Sequence, residues 1–160
     1  TRRSSDLCDF VYGYFDGRLY IAVQTWTLME WPQAVEFAAK VGGHLATLTT
    51  EAENDFVYAM VRDDQRFWDK MTLGYGTIGP SFGMMQPEGS REPDGGWGWT
   101  TGEPVTFTNW NQGEPGNSNN DEFIGAFQWD TYPEKTDRHD TSKGWGDFPT
   151  MTKSIILEIE

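Results

Sequence analysis

Apolar residues change their period twice along this chain, and the changes divide it into elements. Asp9-Phe10-Val11-Tyr12-Gly13-Tyr14 and Arg18-Leu19-Tyr20-Ile21-Ala22-Val23 carry aromatic and β-branched residues at strand density on either side of Asp16-Gly17, a pairing that predicts an N-terminal hairpin. After Trp26-Thr27 the period lengthens. Ala34, Phe37, Ala38 and Val41 fall at i, i+3, i+4 and i+7, one apolar helical face that should lie on a sheet, with Pro32 in the first turn and Gly42-Gly43 at the end. His44 to Leu48 reads as a short strand. Thr50-Glu51-Ala52-Glu53 then has the form of a capping box, opening a second helix whose inner face would be Ala52, Phe56, Ala59 and Met60 and which fades near Asp63-Asp64.

Beyond that helix the pattern shortens again and helical periodicity does not return. Met71 to Tyr75 reads as a short buried strand, Gly79-Pro80 through Gly96 as loop, Phe123 to Phe127 as a compact apolar strand and Thr131 to Lys143 as a polar excursion. Ser154 to Ile159 closes the chain as a strand, placed beside Leu19 to Val23 so that the two chain ends meet. The order is hairpin, helix, strand, helix and then a long loop-rich strand region, which predicts an α+β domain and not an alternating βαβ one. A single domain over 1–160 is expected, its core about 14–158 and its loop region about 76–147, since 160 residues with 37% hydrophobic content bury a real core without staples.

Charge removes one class of partner. Twenty-five acidic residues face 12 basic ones, a formal net charge of -13, whereas phosphate backbones are bound by Lys and Arg that displace counterions. No nucleic acid is expected. No run approaches the roughly 20 apolar residues of a membrane span, and Thr1-Arg2-Arg3-Ser4 does not lead into a secretion signal. The first residue is not Met, so the chain reads as an excised part of a larger protein. Cys8 is alone and cannot form an intrachain disulfide.

Candidate chemistry gathers between Trp97 and Asp147. There, carboxylates and carboxamides sit among tryptophans on Gly- and Asn-rich chain, with Pro115 directly after Glu114. Clustered hard oxygens on irregular backbone suit Ca²⁺, which takes six to eight of them; the indoles are either sugar platforms or packing anchors. Other groups have plainer readings. His44 and His139 lack partners at ligand or catalytic spacing, Cys8 is a free thiol, and the acids of Asp130 to Asp140 are a solvated loop before they are a second cation site. Paired carboxylates raise glycoside hydrolysis, but no nucleophile, base and orienter set accompanies them, so the chain reads as a non-enzymatic binding module.

Several of these pieces stand in a familiar order. Trp31-Pro32-Gln33-Ala34, Gly42-Gly43-His44-Leu45-Ala46-Thr47-Leu48, Glu51-Ala52-Glu53-Asn54, Leu73-Gly74, Trp97-Gly98-Trp99-Thr100-Thr101-Gly102-Glu103-Pro104, Asn109-Trp110, Gly113-Glu114-Pro115, Trp145-Gly146-Asp147 and Ile156-Leu157-Glu158 together resemble a C-type lectin-like domain from about Tyr14 to Glu158. The resemblance implies two helices, antiparallel sheets, a hairpin joining the chain ends and a long loop region with a cis bond before Pro115. The family's usual disulfides are missing, with Phe123 near an expected cysteine, and no N-glycosylation sequon is present; a bacterial or phage source is expected. The resemblance also implies an extracellular, cell-surface or periplasmic location.

In sugar-binding members one Ca²⁺ is ligated by the Glu and Asn of Glu-Pro-Asn, an acid about eight residues on, and the Asn and Asp of Trp-Asn-Asp. This chain keeps Glu114 and Asp147 but has Gly116 and Gly146 in the two Asn positions, and the intervening acid is Asp121 or Glu122. A Ca²⁺ site would therefore rest on Glu114, Asn117, Asp121, Glu122 and Asp147. A ligand would be met by Glu114, Asn119, Asn120, Trp110 and Asp147. The expected function is calcium-dependent carbohydrate binding with an incomplete ligand set. The alternative is a calcium-independent protein-binding or display domain of a larger surface or phage protein, offering the segments Gly79 to Gly95 and Thr131 to Lys143 as a broad loop face.

Overall fold

The N-terminal hairpin forms as the pattern requires. In the computed structural model, which describes residues 8–70, 77–129 and 143–160, strand β1 (Cys8–Phe15) pairs antiparallel with β2 (Arg18–Glu30) in unbroken register. Asp16 and Gly17 both take positive φ, 47° and 81°, the combination a tight two-residue hairpin turn needs. The C-terminal strand β9 (Met151–Ile159) lies against the other side of β2, with Leu19 opposite Ile159 and Val23 opposite Ile155. The chain ends are thus tied together.

Helix α1 (Trp31–Lys40) and helix α2 (Glu51–Val61) flank the short strand β3 (His44–Leu45), which pairs with β9. α1 buries Trp31, Ala34 and Ala38, whereas Val41, expected on its inner face, lies past its end and is exposed. α2 departs further. Its buried face is Glu53, Asn54, Val57, Tyr58 and Val61, while Ala52 and Ala59 face solvent and Phe56 and Met60 pack only partly, toward β1. Two buried polar residues shifted the apparent stripe by one position. Thr50 does cap the helix, its hydroxyl accepting from Glu53 N at 3.2 Å. The Glu53 carboxylate does not close the box; it accepts instead from Thr49 N and Thr49 Oγ1 and from the Tyr20 hydroxyl.

The largest correction concerns residues 77–85. Far from loop, Thr77–Met85 is strand β5, almost wholly buried at the centre of the sheet. Its breakers have specific places: Pro80 falls where the pairing with the next strand shifts register, so its missing N–H costs no ladder bond, and a Cβ on Gly79 would stand 2.6 Å from the Trp68 ring. β5 pairs with β4 (Asp69–Lys70), with β6 (Gly98–Trp99) and with β7 (Ile124–Trp129), and β7 pairs with β8 (Trp145–Phe148). The continuous strand order is β1-β2-β9-β5-β7-β8. One parallel contact, Ser81 to Ile155, joins the two otherwise antiparallel halves.

Alternate residues of β9 feed two cores. Ile156 joins Tyr20, Val57, Tyr58, Phe82, Phe127 and Trp145 beneath α2 and the loops; Ile155 and Leu157 join Val23, Ala34, Ala38 and Leu45 beneath α1. The expected strand at 71–75, His139, the acids of 130–140 and all but the last residue of the polar excursion lie outside the described residues. Among the described residues no helix is long and apolar enough to cross a membrane.

Candidate functional site

Tryptophans frame the loop region before any ligand enters it. Trp145 is fully buried, its indole Nε1 donating to Asn54 Oδ1 at 2.8 Å. Trp110 forms a parallel bridge with Trp145 and packs its ring edge-on to those of Trp145 (centroids 5.6 Å) and Trp97 (4.8 Å). Trp99 is also buried against Trp145. Core packing is therefore the principal role of these rings, and only Trp97 and Trp110 stay half-buried at the rim.

On this frame the segment 109–122 folds back over β7 and β8. Asn109 O accepts from Trp145 N, Asn111 N donates to Trp145 O, and Glu114 N donates to Asn111 O. The Glu114–Pro115 peptide is cis. After it, three consecutive amides turn toward carboxylates: Gly116 N donates to Asp147 Oδ1 and Asn117 N to Asp147 Oδ2, both at 2.8 Å, and Ser118 N donates to Glu122 Oε2. Asn117 takes a left-handed conformation and its side-chain oxygen accepts from Glu122 N. Asn119 and Asn120 also have positive φ and stand exposed in a short 3₁₀ turn, Ser118–Asn120.

Glu114, Glu122 and Asp147 thus come together, with Glu122 and Asp147 buried and Glu114 half-buried. Asp121 points outward and is exposed. Burial first, then a hydrogen bond with Asp147 and the charges of Asp147 and Glu122, push the Glu114 carboxyl up to about 8, against a donation from Gln128. Burial and the charges of Asp147 and Asp121 push Glu122 up to about 7, with Ser118 acting the other way. Burial and the neighbouring charges thus favour the protonated form of Glu114, beside Asp147.

Gln128, which the sequence does not single out, completes the site together with Asn111. Gln128, on β7, donates through Nε2 to Glu114 Oε1 at 3.3 Å and accepts through Oε1 from Asn111 Nδ2 at 3.0 Å. A Cβ on Gly146 would lie 2.6 Å from Gln128 Oε1. The room that a residue-146 side chain would need is already taken by a carboxamide from the neighbouring strand. Only the register of β7 on β8, with Ala126 opposite Gly146, reveals that exchange.

For a divalent ion the donor set is poorly disposed. Both oxygens of Asp147 and one of Glu122 already accept backbone hydrogens. Among the described residues no three Asp, Glu, His or Cys side chains are arranged to hold a metal. The residues present do not fit a six-oxygen Ca²⁺ site as they are folded here.

A two-helix α+β frame carrying a tryptophan-anchored loop face defines a ligand-recognition module. The chain belongs to the C-type lectin domain family, whose model matches residues 27–143 and whose members are non-enzymatic binding modules. It is 28% identical over 116 residues to a C-type lectin from Micrurus corallinus, covering 64% of this chain and 63% of that protein. The first relatives it matches are covered over 50 to 63% of their length. Its fold is similar to that of human lithostathine (TM-score 0.67, 18% identity, 100% of this chain and 96% of that one) and of a calcium-independent type II antifreeze protein (TM-score 0.63, 19% identity, 94% and 95%).

Proposed function

We propose that this chain is an extracellular carbohydrate-binding module whose loop face is organised by its own hydrogen bonds and works without calcium. The observation that carries the reading is the run of three amides, Gly116 to Ser118, aimed at Asp147 and Glu122 where an ion would otherwise neutralise them. The fold's occurrence in a protein described as calcium-independent is consistent with that. In this reading sugar hydroxyls meet the Glu114 carboxyl and the exposed carboxamides of Asn119 and Asn120, the indole rim at Trp110 contributing apolar contact. A protonated Glu114 both donates and accepts, as a hydroxyl-rich ligand requires.

A glycan array probed in calcium and again in excess chelator tests this. The expected result is one set of glycan signals, equal in both conditions and lost from an Asn119→Ala/Asn120→Ala double variant. Signals present only with calcium contradict the proposal, and no glycan signal in either condition removes carbohydrate as the ligand.

A further inference from the structure

The hydrogen bonds that lead to Glu114 run in one fixed direction. Asn111 turns the same side-chain nitrogen to two oxygens of Gln128, the backbone carbonyl at 3.2 Å and Oε1 at 3.0 Å. A carbonyl only accepts, so the Asn111 atom there is Nδ2, and the Gln128 side-chain atom that meets it is the carboxamide oxygen. Gln128 is thereby held the one way round that points Nε2 at Glu114 Oε1, 3.3 Å away. Gly146 leaves the room for this: a Cβ there would stand 2.6 Å from Gln128 Oε1.

That arrangement leaves an unused donor beside an unused acceptor. A carboxamide nitrogen carries two hydrogens and a carboxyl oxygen two lone pairs. Among the described residues Gln128 Nε2 donates only to Glu114, and Glu114 Oε1 accepts only from Gln128. Both residues are half-buried, so neither is sealed from a ligand arriving at the loop face. Both groups are trigonal, and their free directions diverge from the bond that joins them. They meet two hydroxyls and not one.

We propose that Gln128 is a ligand-contacting residue of this face and that Asn111 positions it: the second Nε2 hydrogen of Gln128 donates to one hydroxyl of a neutral glycan while Glu114 Oε1 accepts from another. This role rests on the carbohydrate reading and gives it a rule of selection. A neutral sugar supplies both an acceptor and a donor at every free hydroxyl. A carboxylate in the same place supplies no donor and sets a further anion beside Glu114, Glu122 and Asp147, which meet no base among the described residues. The orientation of the carboxamide decides the rest. Turned over, it would present Oε1 in place of Nε2, and the ligand would lose its donor.

Glycan-array binding, followed by titration of the neutral glycan with the strongest signal, tests this on the wild type, Gln128→Met, Asn111→Asp and Gly146→Ala. Wild-type signals should fall on neutral glycans. Gln128→Met keeps the length of the side chain without its donor and should bind roughly tenfold more weakly, the loss of one hydrogen bond to the ligand. Asn111→Asp presents an oxygen where Nδ2 stood, which turns the Gln128 carboxamide over. Binding should fall as far, with the far-ultraviolet spectrum unchanged and the Gln128 side-chain amide resonances shifted. Gly146→Ala places a methyl group against Gln128 Oε1 and should weaken binding likewise, which decides the matter should Gln128→Met fail to fold. Wild-type affinity in Gln128→Met, or in both Asn111→Asp and Gly146→Ala, overturns the assignment and leaves the carbohydrate reading standing, as do signals confined to carboxylate-bearing glycans. No glycan signal from the wild type removes the carbohydrate reading itself, and the assignment with it.

Discussion

Among the described residues two groups of carboxylates are withdrawn from solvent, and they are neutralised differently. Beneath α2, Glu53 and Glu158 receive the Tyr20 hydroxyl, the amides and hydroxyls of Thr47 and Thr49, and a base: Arg18 Nη1 stands 3.0 Å from Glu158 and 3.5 Å from Glu53. In the loop region, Glu114, Glu122 and Asp147 receive amides and one carboxamide and, among the described residues, no base. The first cluster ties β2, β9 and α2 together and is closed to ligands. In the second, burial and the neighbouring carboxylates favour the protonated form of Glu114, which leaves a half-buried hydrogen-bonding carboxyl at the site. An acidic cluster in this fold is therefore not by itself an ion site; the direction of the surrounding N–H groups decides.

Removing the base should have the largest effect. Arg18→Met leaves Glu53 and Glu158 facing each other without compensation, and loss of one partner of a buried ion pair costs on the order of 3 kcal/mol, to be read from urea unfolding at pH 7. A variant as stable as the wild type would mean that the amides and hydroxyls suffice there too. Asp147→Ala comes next: it strands the amides of Gly116 and Asn117, with an expected loss of about 2 kcal/mol and faster proteolysis of the loop segment. An unchanged stability and digestion pattern would show that the loop holds its shape without Asp147.

The third prediction concerns pH. Glu114 and Glu122 are raised in the folded chain, to about 8 and about 7 from an ordinary value of 4.5, so between those limits the folded state holds more protons than the unfolded one. Their contribution to stability is full below about pH 4.5 and is lost as pH rises through 7 and 8. Glu114→Gln keeps a donor toward Asp147 and cannot ionise. It should leave the melting temperature unchanged near pH 4.5 and raise stability at pH 8.5 by on the order of 2 kcal/mol, after allowance for partial solvent screening. Equal melting temperatures at pH 8.5 would mean that Glu114 ionises freely.

Smallest of all should be the effect of Gln128→Ala, about 1 kcal/mol. Its informative readout is the direction in which the Glu114 pH midpoint moves. Gln128 favours the charged form of Glu114, so its loss should move the midpoint upward, and a downward move would place another group in that role.

Much of the frame was legible from residue order. The hairpin at Asp16-Gly17, both helices, the closing strand beside Leu19 to Val23 and the tryptophan-rich loops all follow from period and turn chemistry. β5 was not, because Gly79, Pro80 and Gly83 read as breakers until the Trp68 ring, a register shift and the close carbonyls of Leu45 and Ala46 give each a reason. The buried face of α2 was misread because Glu53 and Asn54 are polar residues held by specific partners. At the site, Glu114 and Asp147 could be picked out as candidates, but the amides that meet Asp147 and the Gln128 carboxamide beside Gly146 depend on which strands are neighbours. No local pattern encodes that.

Calorimetric titration of Ca²⁺ into chelator-treated protein at pH 7 tests the central claim most directly. A loop face neutralised by its own amides and one proton should give no saturable heat up to millimolar calcium, in the wild type and in Glu114→Gln alike. Saturable binding in the wild type that Glu114→Gln or Asp147→Asn abolishes would contradict it.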